Sequence, residues 1–198
     1  MDLIRSTLEA IQKRLNSYLS NIENRPDDWV TLTSLVGHDG SVNENAKNKV
    51  VMSVYSITNE TTISTYAATQ PGVNQYYTVN PPIYIDLYLI LLANFTDNQY
   101  ATGLGAISRV ISFFQQSPAL THANCPDLPP QTEKITLEFV NINPVEINYI
   151  MGMLGTKYLP SVFYKLRMLP FNGDTTMTAR SYAVQGGGIY EKAPGAGG

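Results

Sequence analysis

The sequence predicts an α/β (α+β) domain, a mixed β-sheet of about five strands flanked by helices. Three observations carry this. A long amphipathic helix opens the chain. Five strand-like segments and two further helical ones follow it, in the order β-β-β-α-β-α-β. The most apolar stretch, "NPPIYIDLYLILLANF" (Asn80 to Phe95), reads as a strand covered on both faces.

In residues 1–22, Ile4, Leu8, Ile11, Leu15, Tyr18 and Ile22 step by fours and threes, so they share one face. Arg5, Glu9, Gln12, Lys13 and Asn16 cover the other side. The plain reading is a helix packed on its own sheet; the alternative is a helix that also docks on a neighbouring subunit. "ENRPDDW" breaks it, and "WVTLTSLV" and "KVVMSVYSIT" follow as strands, separated by a polar loop, "GHDGSVNENAKN". Asn59 to Asn80 lacks a useful period and reads as a long connection or an extended hairpin.

Ile83 to Phe95 is an apolar run of 13 residues that contains Asp86 and Asn94. A bilayer-spanning helix needs about 20 apolar residues, and a central Asp would be costly there. Two prolines precede the run, and β-branched and aromatic residues fill it, so it predicts a central strand and no membrane segment. "TDNQYATGLGAISRVISFFQQ" predicts a helix with Leu104, Ile107, Ile111 and Phe114 on one face. "SPALTHANCPDLPPQ" predicts a loop. "EKITLEFVNI" alternates, with Ile135, Leu137 and Phe139 inward and Thr136, Glu138 and Val140 on the other face. Asn143, Pro144 and Glu146 predict a capped helix start, and Gly155 its end. Ser161 to Phe171 is the last strand. The expected domain is 1–171, with 172–198 a flexible Gly-rich tail.

Composition narrows the function classes. Charged residues make up 15% of the chain, against a usual quarter or so. The net charge of −3 argues against nucleic-acid binding, which needs a basic stripe. The lone cysteine, Cys125, excludes an internal disulfide framework. The N-terminus has no unbroken apolar core of a secretory signal, so the sequons at Asn59 and Asn94 carry no weight.

Candidate chemistry is sparse. His122 and Cys125 have the spacing of two metal ligands, but nothing nearby completes a tetrahedral set, and an ordinary loop histidine with a semi-buried thiol is the simpler reading. The Gly-x-Gly of "TGLGAI" lies in a helical pattern and lacks a third glycine, so close helix–sheet packing explains it better than a dinucleotide site. Asp86 among apolar neighbours could serve a small hydrolase or ligand-binding domain. Pairing with Lys165 or Arg167 across the sheet is the plainer account. The expectation is no enzyme, no cofactor and no metal. Thirteen tyrosines cluster in "QYYTVNPPIYIDLY" and recur at Tyr149, Tyr158 and Tyr164. They suit either interfaces or the edge of the core.

The order of "NPPIYIDLYLILLANF", "GLGAISRVISFFQQ" and "LPPQTEKITLEFVNINPVEINYIMGMLGTKYLPSVFYKLRML" resembles the N-terminal domain of the cap, or tail-terminator, proteins of extracellular contractile injection systems. These are phage-tail-like particles made by bacteria. The resemblance covers residues 1–170 and is most specific from Gly152 to Leu169. It implies a phage tail-terminator-like fold and a structural role. The role is a homohexameric ring that ends polymerisation of the inner tube and anchors the sheath, its partners being itself, the inner tube protein and the sheath protein. It also implies assembly in the bacterial cytoplasm and release in an extracellular particle. A tube–baseplate adaptor is the nearest alternative. The family carries no catalytic residues to transfer. Candidate interface residues come from the exposed loops and tail: His38, Asp39, Tyr66, Tyr76, Tyr77 and Tyr190.

Overall fold

The computed structural model describes residues 2–23, 28–37, 39–62, 68–72, 75–79, 83–96, 98–171 and 180–182. The chain forms two compact units. One is Met1–Ser64 with Ile83–Phe171, and the other is Thr65–Pro82 with Asn172–Gly198.

The first unit opens with α1 (Leu3–Glu23), followed by β1 (Val30–Leu32), β2 (Lys49–Asn59), β5 (Ile83–Asn94), α2 (Tyr100–Gln116), β6 (Ala119–Thr121), β7 (Lys134–Phe139), α3 (Pro144–Met153) and β8 (Ser161–Phe171). Between β2 and β5 the chain enters the second unit as β3 (Ala68–Gly72) and β4 (Gln75–Val79), and after β8 as β9 (Arg180–Tyr182). In the first unit the sheet runs β1-β2-β5-β8-β7-β6. β1 is parallel to β2, and every other pairing in this sheet is antiparallel. The expected mixed sheet is thus observed, with one strand more than the sequence disclosed, because β6 lies inside the proline-rich stretch. Both edge strands have three residues, which leaves little free backbone for unwanted pairing.

β5 lies inside the sheet, between β2 and β8, and separates two apolar layers. Leu87, Leu89, Leu91 and Ala93 face the layer under α1 and α2, while Ile90 and Leu92 face the layer under α3. This is why the segment reads as continuously hydrophobic: a strand buried on both faces cannot alternate. α1 buries Leu8, Ile11, Leu15 and Leu19 against the first face. Asn16, expected on the polar side, is buried instead. Its side-chain amide donates to the Val30 carbonyl at 2.9 Å and its oxygen accepts from the Val30 N–H at 2.8 Å, so it closes the free edge of β1. At the far end Ile22 is 49% exposed.

α2 corrects the expected apolar face. Ile107 and Phe114 are buried with Gly103, Ala106, Val110 and Phe113, whereas Leu104 and Ile111 point outward. Gly103 explains the rotation: a Cβ there would meet Phe95 and Ala93 side-chain atoms at 3.2–3.3 Å, so the helix seats on the sheet through its glycine. In β7, Ile135 and Leu137 are buried, but Phe139 is half exposed at the strand's end, where its ring meets Tyr164 edge-on at 5.5 Å. α3 starts as predicted. The Asn143 side chain accepts from the Glu146 N–H at 2.9 Å, and the Glu146 carboxylate accepts from the Asn143 N–H at 3.4 Å. Gly155 follows its end at φ +68°, in the left-handed region that ends helices.

In the second unit, β4 pairs antiparallel with β3 on one side and β9 on the other. Of the two readings of 59–80, a long connection or an extended hairpin, β3 and β4 form the hairpin. β9 falls within the stretch read as a tail, whose residues 172–179 and 183–198 lie outside the described residues.

Candidate assembly surfaces

The second face of the sheet changes character along its length. Under α3 it is apolar: Val51, Ile90, Leu92 and Phe163 meet Ile150 and Met151 of the helix. Farther along β5 and β8 it is ionic. Asp86 has a side chain only 2% exposed, and its Oδ2 meets Lys165 Nζ at 2.9 Å. The hydrogen bond to Asp86 raises the Lys165 pKa. Lys165 also lies 5.6 Å from the centroid of the Tyr88 ring, on the strand position paired with it. A bulge opposite Asp86, where the register passes from Ile85–Leu169 to Leu87–Leu166, interrupts the β8 alternation here.

Beside this pair, Arg167 holds two carboxylates, Glu60 just past the end of β2 and Glu138 in β7. Its guanidinium meets Glu60 at 2.6 Å and Glu138 at 3.0 Å. Glu60 also accepts from the Thr62 hydroxyl and, at 2.9 Å, from the Thr62 N–H. The Thr62 hydroxyl, then the Thr62 N–H and Arg167, hold the Glu60 carboxyl at about 2, well below its ordinary 4.5. Arg167 is correspondingly driven upward by Glu60 first and Glu138 second. The Glu60 N–H donates to the Tyr84 carbonyl at 2.8 Å, so the cluster fixes the end of β2 beside the start of β5. The Asp86 pairing follows from the sequence. Glu60 was hidden because it lies past the end of a strand, where no periodicity marks it.

The nominated interface residues scatter. Asp39 is exposed in the turn that precedes the single helical turn Glu44–Ala46, and it accepts from the Ser41 hydroxyl at 2.6 Å and the Ser41 N–H at 3.0 Å. These bonds, the hydroxyl first, lower its pKa. Tyr76 and Tyr77 occupy adjacent positions of β4, paired with Pro71 and Gln70 on β3 and with Ser181 and Arg180 on β9. His38, Tyr66 and Tyr190 lie outside the described residues. His122 is exposed, while Cys125 is buried in the first-face core with its thiol donating to the Ala10 carbonyl at 3.8 Å. Burial raises the Cys125 pKa. Among the described residues no group of three His, Cys, Asp or Glu side chains could hold a metal ion, and no helix is long and apolar enough to cross a membrane.

The tyrosines divide. Tyr164 is buried, its ring tilted against Phe114 with centroids 4.6 Å apart, and burial pushes its hydroxyl up to about 12. Tyr149 and Tyr158 are 70% and 67% exposed. They line a groove of about 820 Å³ between α3 and the 154–160 connection, with Ile147, Met151, Gly152 and Lys157.

The first unit is an α+β domain, a six-stranded mixed sheet with α1 and α2 on one face and α3 on the other. Residues 6–184 match the family described as the Pvc16 N-terminal domain, and the chain belongs to that family. It is similar in fold to an extracellular contractile injection system structure, the PVC sheath/tube terminator in the extended state, with TM-score 0.61 and 15% identity over 98% of this chain and 65% of that one. It is also similar to the anti-feeding prophage cap, a tube-terminating cap, with TM-score 0.57 and 12% identity over 89% of this chain and 57% of that one. This chain therefore spans less than two thirds of the length of either. No curated protein sequence matches it.

Proposed function

We propose that this chain is the capping domain of a contractile injection particle, forming a homohexameric ring on the last layer of inner tube and sheath. The family match over residues 6–184 carries the reading. The fold shared with a sheath/tube terminator and a tube-terminating cap supports it. Ring subunits meet through a heterologous interface, which closes when the rotation between neighbours divides the circle. Termination then needs no chemistry. The ring occupies the acceptor surface of the last layer and presents a different surface outward, so no further tube or sheath subunit finds its site. Contacts to tube and sheath proteins come from the 37–48 loop with His38 and Asp39, the 59–80 excursion with Tyr66, Tyr76 and Tyr77, and the 172–198 tail with Tyr190. The chain assembles in the bacterial cytoplasm and leaves in the extracellular particle. The commitment of Asp86 to Lys165 at 2.9 Å argues against a hydrolytic role for that carboxylate.

Particle length and end structure by electron microscopy, in cells with and without this gene, test the reading. Over-long or ragged tubes and sheaths in its absence, restored on complementation, are expected. Particles of normal length that lack a baseplate would make the chain the adaptor at the opposite end. Particles normal at both ends would overturn the structural role.

A further inference from the structure

Two helices of the first unit carry exposed apolar stripes, and they lie on opposite faces of the sheet. On α3, Val145, Tyr149 and Met153 follow one another at four-residue steps and are 64%, 70% and 68% exposed. On α2, Tyr100, Leu104 and Ile111 share one side of the helix and are 58%, 42% and 37% exposed. Each helix is also poor in charge. Arg109 is the one charged residue in α2, and Glu146 the one in α3. Burying either stripe therefore removes almost no charge from water.

Each helix also has a glycine away from the sheet that no backbone contact among the described residues requires. A Cβ at Gly152 would meet nothing within 4 Å, and one at Gly105 would meet only Arg109 Nη1 at 3.6 Å. A glycine inside a helix is destabilising relative to Ala, because its backbone loses more freedom on folding. Among the described residues no contact offsets that cost at Gly152, whereas the close approach of another backbone would. The size of the surface points the same way. Val145, Tyr149, Met153 and Tyr158 together expose on the order of 500 Å² of side chain, the scale of the largest patch found on a monomer and often a functional one. A standard interface buries about 800 Å² from each partner, so the patch is large enough to form its apolar centre.

The geometry points to a head-to-tail contact between two copies of this chain, in which the α2 stripe of one copy seats in the α3 groove of the next. Tyr100, Leu104 and Ile111 provide the anchors of a helix lying in a groove, and Tyr149 and Tyr158 wall the site that receives them. Because donor and acceptor stripes lie on opposite faces of one sheet, each copy uses both, and the contact propagates from copy to copy as a ring requires. The inference rests on the ring proposed above, and it assigns the ring contact to surfaces distinct from the loops and tail nominated there.

The test is sedimentation of the purified full chain and its variants at about 100 µM, above the micromolar range of weak interfaces. Circular dichroism melts show that each variant is folded. Wild type is expected to associate. Tyr149→Asp and Leu104→Asp are each expected to weaken association roughly 30-fold or more, the loss typical of a central anchor. Mixed together, the two variants are expected to form a heterodimer and nothing larger, since each retains one intact half. Gly152→Leu fills the groove and is expected to keep the fold while losing association. If Leu104→Asp associates like wild type, α2 is not the donor and the inference fails, with α3 pairing on itself as the remaining homotypic contact. It fails equally if all variants associate normally, or if wild type stays monomeric. The particle-length measurement is independent of these outcomes, so the terminator reading stands or falls separately.

Discussion

On α1 the residues turned away from the sheet include Arg5, Glu9 and Lys13, and all three are paired. Arg5 meets Glu9 at 2.7 Å one turn on, and Lys13 meets Asp127 at 2.9 Å. On α3 the corresponding positions hold Val145, Tyr149 and Met153. Both helices bury an inward face against the same sheet, α1 with Ile11, Leu15 and Leu19 and α3 with Ile150 and Met151. The difference is therefore confined to the outward side, where α1 is finished for water and α3 is not. Inward apolar residues report only on the fold. Outward ones, where charge would cost nothing, report on what the surface meets.

The inward faces are the first place to press the comparison. Leu15→Ala is expected to destabilise the domain by about 2–5 kcal/mol, the range for a large-to-small change in a packed core. Met151→Ala should cost less, about 2 kcal/mol, because α3 covers a smaller layer. Chemical denaturation measures both. A larger loss from Met151 than from Leu15 would mean that α3, not α1, organises the sheet.

The ionic end of the second face offers a pH test. Glu60 titrates at about 2 in the folded chain and at 4.5 ordinarily. Its depressed value contributes stability that is fully present above 4.5 and is lost as the pH falls towards 2. Wild type should lose melting temperature across that window, and Glu60→Gln should lose less. Equal slopes for the two proteins would mean that the Thr62 and Arg167 contacts contribute nothing to folding.

Asn143→Ala removes the side-chain cap of α3 and should cost about 1 kcal/mol. The outward faces should then separate cleanly. Lys13→Ala and Tyr149→Ser are each expected to change stability by less than about 0.5 kcal/mol, as surface substitutions do. Only Tyr149→Ser should also reduce self-association.

Much of this was legible in the sequence, for identifiable reasons. β5 announced itself because burial on both faces produces an unbroken apolar run, and α3 because its cap needs Asn143, Pro144 and Glu146 in fixed positions. The pairing of Asp86 was legible because a buried carboxylate requires a cation, and β8 offers Lys165 two residues before Arg167. The outward turn of Leu104 and Ile111 was not. A periodic count groups them with Ile107 and Phe114, whereas in the fold the helix seats through Gly103, Ala106, Val110 and Phe113, with Gly103 close to Phe95 and Ala93. Nor could the sequence sort the tyrosines: Tyr149, Tyr158 and Tyr164 share a residue type and a neighbourhood, yet two are exposed and one is core. Asn16 was misplaced because its polarity matches the solvent side, while its partner, the open edge of β1, exists only in the fold.

The most direct test is a photo-crosslinking amino acid at position 149, compared with the same group at position 13, in particles assembled by the producing bacterium. The account predicts adducts from position 149 that map to residues 100–116 of a second copy, and none from position 13. Adducts from position 13 with none from position 149 would contradict it.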